Sequence, residues 1–292
     1  MRKKTNILQF FLIIILIVVN NSCRKDINVE LPEYKEKLVV EASIETGQPA
    51  IVLLSNSVPY FGNFDFHHPE KAFVKGAFVT VTDGITIDTI KELDPNTGYF
   101  YFGSKIIGQV GKSYHLQITL NGKNYSCDTY INPPIALDSI FFKGELHDTL
   151  GEMYAHMHEP LGLGNCYRWF ATRLHKDLYY SSPFSSAFDD KFVDGKDFTF
   201  FYERGAQPNA TEADSKDPYQ GFYKVGDTVV VKFCTINRKD YQYWYSYYRN
   251  KASNGNPFSS PTNIQSFMTG EDVLGGFFGY SPSFDTLVIK KK

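Results

Sequence analysis

From Tyr114 to Ile131 the chain alternates with a period of two on both sides of a tight reversal. Tyr114, Leu116, Ile118 and Leu120 share one face, and Ser113, His115, Gln117 and Thr119 the other. Asn121-Gly122 follows at once. Both central positions of a type I′ turn need positive φ, which Asn and Gly tolerate. Tyr125, Cys127, Thr129 and Ile131 then return on one face. This pattern predicts an antiparallel hairpin with one buried face. The same period runs through Leu38, Val40, Ala42 and Ile44, and through Ala77, Val79 and Val81, with another turn at Asp83-Gly84. Residues 37–133 therefore predict a first β-sandwich. Pro133-Pro134 ends it, because proline cannot donate to a sheet ladder.

Residues 134–292 predict a second β-rich domain. Its candidate strands are Asp138–Lys143, Met153–His158, Tyr167–His175, Phe198–Tyr202, Thr228–Ile236 and Thr286–Lys290. One helix interrupts them over about 237–252. Asn237 can cap it, and Tyr241, Trp244, Tyr245 and Tyr248 fall at i, i+3, i+4 and i+7, an amphipathic stripe for packing on the sheet. Asn254-Gly255 supplies the stop. Glu203 to Gly221 is polar, carries Pro208 and Pro218, and reads as a surface loop. The predicted class is mainly β, two sandwich-like domains, the second with one packed helix.

The N-terminus says where such a fold would be. Arg2, Lys3 and Lys4 precede an apolar run from Ile7 to Val19, broken only by Gln9. That length suits a signal-peptide core and is short for a bilayer about 30 Å thick. Ser22-Cys23 follows Asn20-Asn21. A small residue before a cysteine, just past such a run, resembles a bacterial lipobox, with Asn20 in place of the usual aliphatic residue. The reading is a signal peptide over 1–22, a lipid on Cys23, and a tether over 23–36. Several acyl chains at about 0.8 kcal/mol per buried CH₂ would moor the protein to a membrane. The chain after the signal carries 27 basic and 32 acidic residues, a net charge of −5, which argues against nucleic acid as partner. Cys127, Cys166 and Cys234 are far apart with no C-x-x-C pair, so zinc and redox motifs are missing, and buried free thiols are expected. Nothing in the sequence calls for a cofactor.

Few stretches carry chemistry. His156 and His158 would project from one strand face with Glu152 and Tyr154, two imidazoles in search of a third ligand. Gly162 stands where H-E-x-x-H needs its second histidine, and the alternative is a half-exposed strand end. Asp189, Asp190, Asp194 and Asp197 surround Gly195. Asp190 and Asp194 are thus candidate cation ligands, but EF-hand spacing fails and a charged turn is the simpler reading. Gly275-Gly276-Phe277-Phe278-Gly279 lacks dinucleotide-binding spacing and suits close backbone approach within a sheet. There is no G-x-S-x-G elbow. Aromatic residues reach 16% of the chain, so some are expected at the surface. Phe61, Phe64 and Phe66, or Tyr179, Tyr180 and Phe184, are candidates for a partner surface or for sugar stacking.

Several ordered blocks carry a family likeness: Leu38-Val39-Val40-Glu41, Ser57-Val58-Pro59-Tyr60, Val74-Lys75-Gly76-Ala77, Gly111-Lys112-Ser113-Tyr114, Asn165-Cys166-Tyr167-Arg168, Tyr241-Gln242-Tyr243-Trp244 and Gly275 to Ser281. Together they resemble the Bacteroidota lipoproteins grouped as domain of unknown function 4249, along essentially the whole chain. The first domain also resembles prealbumin-like or carboxypeptidase-regulatory-like sandwiches. The resemblance implies an outer-membrane lipoprotein, associated with a TonB-dependent receptor, and no established reaction. Arg24 and Lys25 depart from the acidic residues that follow the cysteine in surface-displayed members, which leaves the membrane face open. The leading expectation is a non-catalytic binding or accessory protein serving nutrient uptake. A carbohydrate- or peptide-binding module without a fixed partner is the alternative, and a metal-dependent hydrolase the third reading.

Overall fold

A computed structural model describes residues 34–58, 69–93, 100–146, 149–205, 216, 218–253 and 263–291. Cys23, the signal segment, and Phe61, Phe64 and Phe66 lie outside the described residues. Glu36 to Lys292 forms one compact unit. No helix among the described residues is long and apolar enough to cross a membrane.

The alternating segments form strands β1 (Leu38–Glu45), β2 (Pro49–Asn56), β3 (Phe78–Thr82), β4 (Ile87–Glu92), β5 (Phe100–Ile107), β6 (Ser113–Leu120) and β7 (Lys123–Tyr130). Asn121 and Gly122 take φ of 50° and 75°, as the hairpin turn demands. Leu38, Val40, Ala42 and Ile44 of β1 point inward with Ala50, Val52 and Leu54 of β2. They pack with Val79, Val81, Leu116, Ile118 and Tyr125 into one largely aliphatic core.

The remaining strands are β8 (Ser139–Leu146), β9 (Leu150–His158), β10 (Cys166–Arg173), β11 (Ala187–Asp189), β12 (Asp197–Tyr202), β13 (Tyr223–Lys224), β14 (Thr228–Ile236) and β15 (Val273–Val288), with helix α1 (Arg238–Ser253) before the last. Strand β9 is flanked by β8 on one side and by β12 and β13 on the other. This small sheet buries Met153, Ala155 and Met157 against Tyr167, Trp169, Val229, Val231 and Phe233, a second sandwich. The opposite face of β10 and β14 packs on α1, with Cys166, Cys234, Tyr243, Trp244 and Tyr248 at the contact. The three described cysteines are free and buried. Asn237 caps α1, its side-chain oxygen accepting from the Asp240 N–H at 2.9 Å.

Two expectations need correction. The buried helix residues are Asp240, Tyr243, Trp244, Ser246 and Tyr248, while Tyr245 is exposed. Tertiary contact with Phe278 turns the helix, drawing Tyr243 and Trp244 to centroid distances of 4.8 and 5.0 Å from that ring. The last strand begins at Val273, well before the expected Thr286. Its first part pairs in parallel with β1, Leu38 opposite Val273 through Glu45 opposite Tyr280. Its second part pairs antiparallel with β14, Thr228 opposite Val288 through Thr235 opposite Ser281. One strand therefore serves both sandwiches, and an eleven-stranded sheet runs without a break from β11 to β7. Gly275 permits this seam. Its φ is +116°, and a Cβ there would stand 1.8 Å from the Val40 carbonyl oxygen.

Candidate functional site

The two histidines do share the outer face of β9, but each is matched to the neighbouring strand. His156 Nδ1 lies 3.3 Å from the Thr199 hydroxyl, and His158 Nδ1 lies 2.9 Å from an Asp197 carboxylate oxygen. The adjacent Glu159 is fully buried. Its carboxylate accepts from the Tyr167 hydroxyl at 2.7 and 2.8 Å and from the Asn165 amide at 2.8 Å. Asp190 and Asp194 each turn one carboxylate oxygen to the loop after β9. Asp190 accepts the Gly164 and Asn165 N–H groups at 2.6 and 2.7 Å, and Asp194 accepts the Gly162 N–H at 2.6 Å. These contacts make the acidic cluster a clasp for the 159–165 turn. No group of three His, Cys, Asp or Glu suited to a metal ion occurs among the described residues. Burial also pushes the Cys166 and Cys234 thiols up to about 12, so neither is a thiolate at neutral pH.

The exposed aromatics divide by geometry. Phe141, Tyr154 and Phe201 stack across β8, β9 and β12 with centroids 5.4 and 5.0 Å apart. Their faces cover one another, leaving edges for a visitor. Tyr179, Tyr180 and Phe184 are 56%, 38% and 48% exposed, and the latter two open onto a cavity.

That cavity is a cleft of about 950 Å³ over the outer face of the shared sheet. Its floor comes from β1, β2 and β10 through Glu41, Leu53, Arg168 and Phe170. One wall is α1, with Tyr243, Trp244, Tyr247 and Tyr248, and another is the segment carrying Tyr180, Ser182 and Phe184. Arg168 is buried at 7% exposure, with its guanidinium carbon 3.3 Å from the Trp244 ring centroid and 4.6 Å from that of Phe170. One terminal nitrogen donates to the Tyr280 hydroxyl at 2.5 Å and the other to Ser182 at 3.4 Å. Burial opposes the charge, but Tyr280, Tyr248 and Glu41 outweigh it and hold the guanidinium above its usual value. The Ser182 and Ser186 hydroxyls and the Tyr248 phenol form a chain at 2.8 and 3.1 Å beside it. Glu41 projects from β1 into the same space and stays open to water there. Its walled-in position raises its pKa, against the pull of Arg168.

The model of the family described as domain of unknown function (DUF4249) matches residues 24–284. The chain belongs to that family. No curated protein matches the sequence. The DUF4249 region thus takes in the strands from β1 to β14, α1, the first part of β15 and every residue lining the cleft.

Sequence reading singled out Tyr180 and Phe184 but not Glu41, Arg168 or Tyr247. The sequence does carry one signal: Arg168 interrupts the run Cys166-Tyr167-Arg168-Trp169-Phe170, and a charge inside an apolar strand must meet a partner across the sheet face. Glu41 alternates regularly on β1 and looks like any solvent-facing strand residue until α1 is placed above it.

Proposed function

We propose that the protein is an outer-membrane lipoprotein, anchored through Cys23, that binds a ligand in the cleft and works beside a TonB-dependent receptor in nutrient uptake. The observation carrying this reading is the cleft itself. A concave space near the upper end of ordinary ligand-site volumes, lined by aromatic faces, hydroxyls and charges of both signs, has the anatomy of a binding site. The lipobox-like Ser22-Cys23 supports the anchor.

Two measurements test it. Wild-type protein should fractionate with membranes and carry acyl mass on Cys23, whereas Cys23→Ala should move to the soluble fraction. Affinity purification of the intact protein from detergent-solubilised membranes should bring down a β-barrel receptor. Recovery of the chain alone would remove the receptor from the proposal. It would favour a surface module without a fixed partner, to which the half-exposed Tyr179, Tyr180 and Phe184 also lend themselves. A Cys23→Ala variant that stays with membranes would remove the anchor.

A further inference from the structure

The described charged residues lining the cleft are Glu41, Glu152, Glu203, Arg168 and Lys251, and the side chains of Glu41 and Arg168 form no direct ion pair. Glu41 has no hydrogen bond and no ion pair within 4 Å. Arg168 has rings and hydroxyls around it but no carboxylate within that distance, and its Nε–H has no acceptor. Each charge is felt by the other without direct contact. A direct ion pair would have consumed the donors of one and the acceptors of the other. Held apart on strands β1 and β10, both line the same space, Glu41 open to water and Arg168 buried with an Nε–H that lacks an acceptor.

This arrangement discriminates among ligands. A net anion gains from Arg168 and Lys251 and is repelled by Glu41, Glu152 and Glu203, and a net cation meets the reverse. A ligand without charge but rich in hydroxyls satisfies both, because each hydroxyl can donate to Glu41 or accept from Arg168. Ser182 and Tyr248 hydroxyls extend the same two-way capacity along the wall. The remaining surface is ring face: Tyr180 and Phe184 stand partly exposed at the rim, and the electron-rich face of an aromatic ring suits polarised C–H groups. Ligands with an apolar C–H face and a hydroxyl edge are saccharides. A cleft of about 950 Å³ is large for a single sugar ring and accommodates several.

We infer that the cleft is a site for a neutral oligosaccharide, with Glu41 and Arg168 gripping its hydroxyls and Tyr180 and Phe184 stacking on its rings. The inference rests on the binding reading above and supplies its ligand class.

The test uses the detergent-solubilised full chain, with calorimetry and the quenching of Trp244 as readouts. Probes are neutral hexasaccharides of glucose, mannose and xylose, the anionic hexagalacturonate, the cationic hexamer of glucosamine, and trialanine. At least one neutral hexasaccharide should bind saturably and at least tenfold tighter than either charged hexamer. Glu41→Gln keeps the shape of the side chain and should weaken that binding by roughly tenfold, the loss of one charge-assisted hydrogen bond. Phe184→Ala at the rim should weaken it severalfold, and Leu161→Ala, exposed and outside the cleft, should leave it unchanged. Circular dichroism checks that each variant is folded. A blank against all three neutral sugars, or Glu41→Gln binding like wild type, overturns the inference. Preferred binding of a charged hexamer that Phe184→Ala abolishes overturns the neutrality of the ligand, and preferred binding of trialanine that it abolishes overturns the saccharide class; either leaves the binding protein standing. Membrane fractionation of Cys23→Ala reports on the anchor independently of either result.

Discussion

The first sandwich is held mainly by aliphatic side chains, the second mainly by aromatic rings and buried charge. Strands β1–β7 enclose Val, Ile, Leu and Ala at strict two-residue spacing, and Asp88 and Thr129 are the buried polar residues they contribute. Beyond residue 134 the cores contain Tyr167, Trp169, Phe233, Tyr243 and Trp244, with Glu159, Arg168, Asp190, Asp227 and Asp240 buried among them. Aliphatic packing needs only volume and the right face. A core of rings and charges needs a partner for every polar atom, because an unpaired buried group costs its full desolvation. The half with the demanding core is also the half that supplies most of the cleft, where such groups can be left facing a ligand.

The contrast implies that the two halves stand or fall through one seam. Gly275→Ala would drive a methyl group into the Val40 carbonyl and is expected to cost more than about 4 kcal/mol. Both tryptophans, Trp169 and Trp244, lie in the second half, so their fluorescence reports on it alone, while far-UV circular dichroism reports on both. Loss of both signals together is expected. Retention of native tryptophan emission while β-sheet signal falls would break the picture of a shared strand. Leu116→Ala, in the aliphatic half, should cost about 3–4 kcal/mol in chemical denaturation through the cavity it leaves, with folded-state tryptophan emission unchanged.

In the second half the loss should follow partners instead of volume. Glu159→Ala removes the acceptor for Tyr167 and Asn165 and should cost roughly 3 kcal/mol, well above Tyr167→Phe at about 1 kcal/mol. A double-mutant cycle on denaturation midpoints checks this, and independent, additive losses would count against a polar core.

The smallest effect belongs to the aliphatic half's buried acid. Burial works to raise the Asp88 pKa, but backbone N–H groups of Ile106, Lys105 and Ser104, at 3.0, 2.7 and 2.8 Å, overcome it and hold the carboxyl below its usual range. A lowered folded pKa means stability that is complete above the unfolded value near ~3.9 and lost as pH falls through the folded value. Asp88→Asn should therefore cost about 1 kcal/mol at pH 7 and progressively less below pH ~4, as measured by denaturation across that range. A cost independent of pH would show that shape, not charge, is what the three N–H groups require.

Much of the fold was legible because its causes are local. Strand β14 runs from Thr228 to Ile236 as its spacing predicts, and α1 starts just past the Asn237 cap. The Asn121-Gly122 hairpin needs nothing beyond its own φ preferences. The close backbone approach at Gly275-Gly276 was legible and is borne out, but the start of β15 at Val273 was not, because the glycines weaken every local preference and only the approach of β1 gives the segment a partner. The role of the acidic cluster was hidden as well, since Asp190 and Asp194 bind backbone N–H groups 25 to 32 residues away. The sequence alone determined which residues alternate, where the chain turns back, and where a helix can begin, since these depend on neighbours along the chain. The tertiary structure decided that Glu41 and Arg168, 127 positions apart, would face one cleft without touching. That outcome needs β15 to join β1 to β14 and α1 to roof the sheet, and it is set by packing across the fold and not by any short stretch of chain.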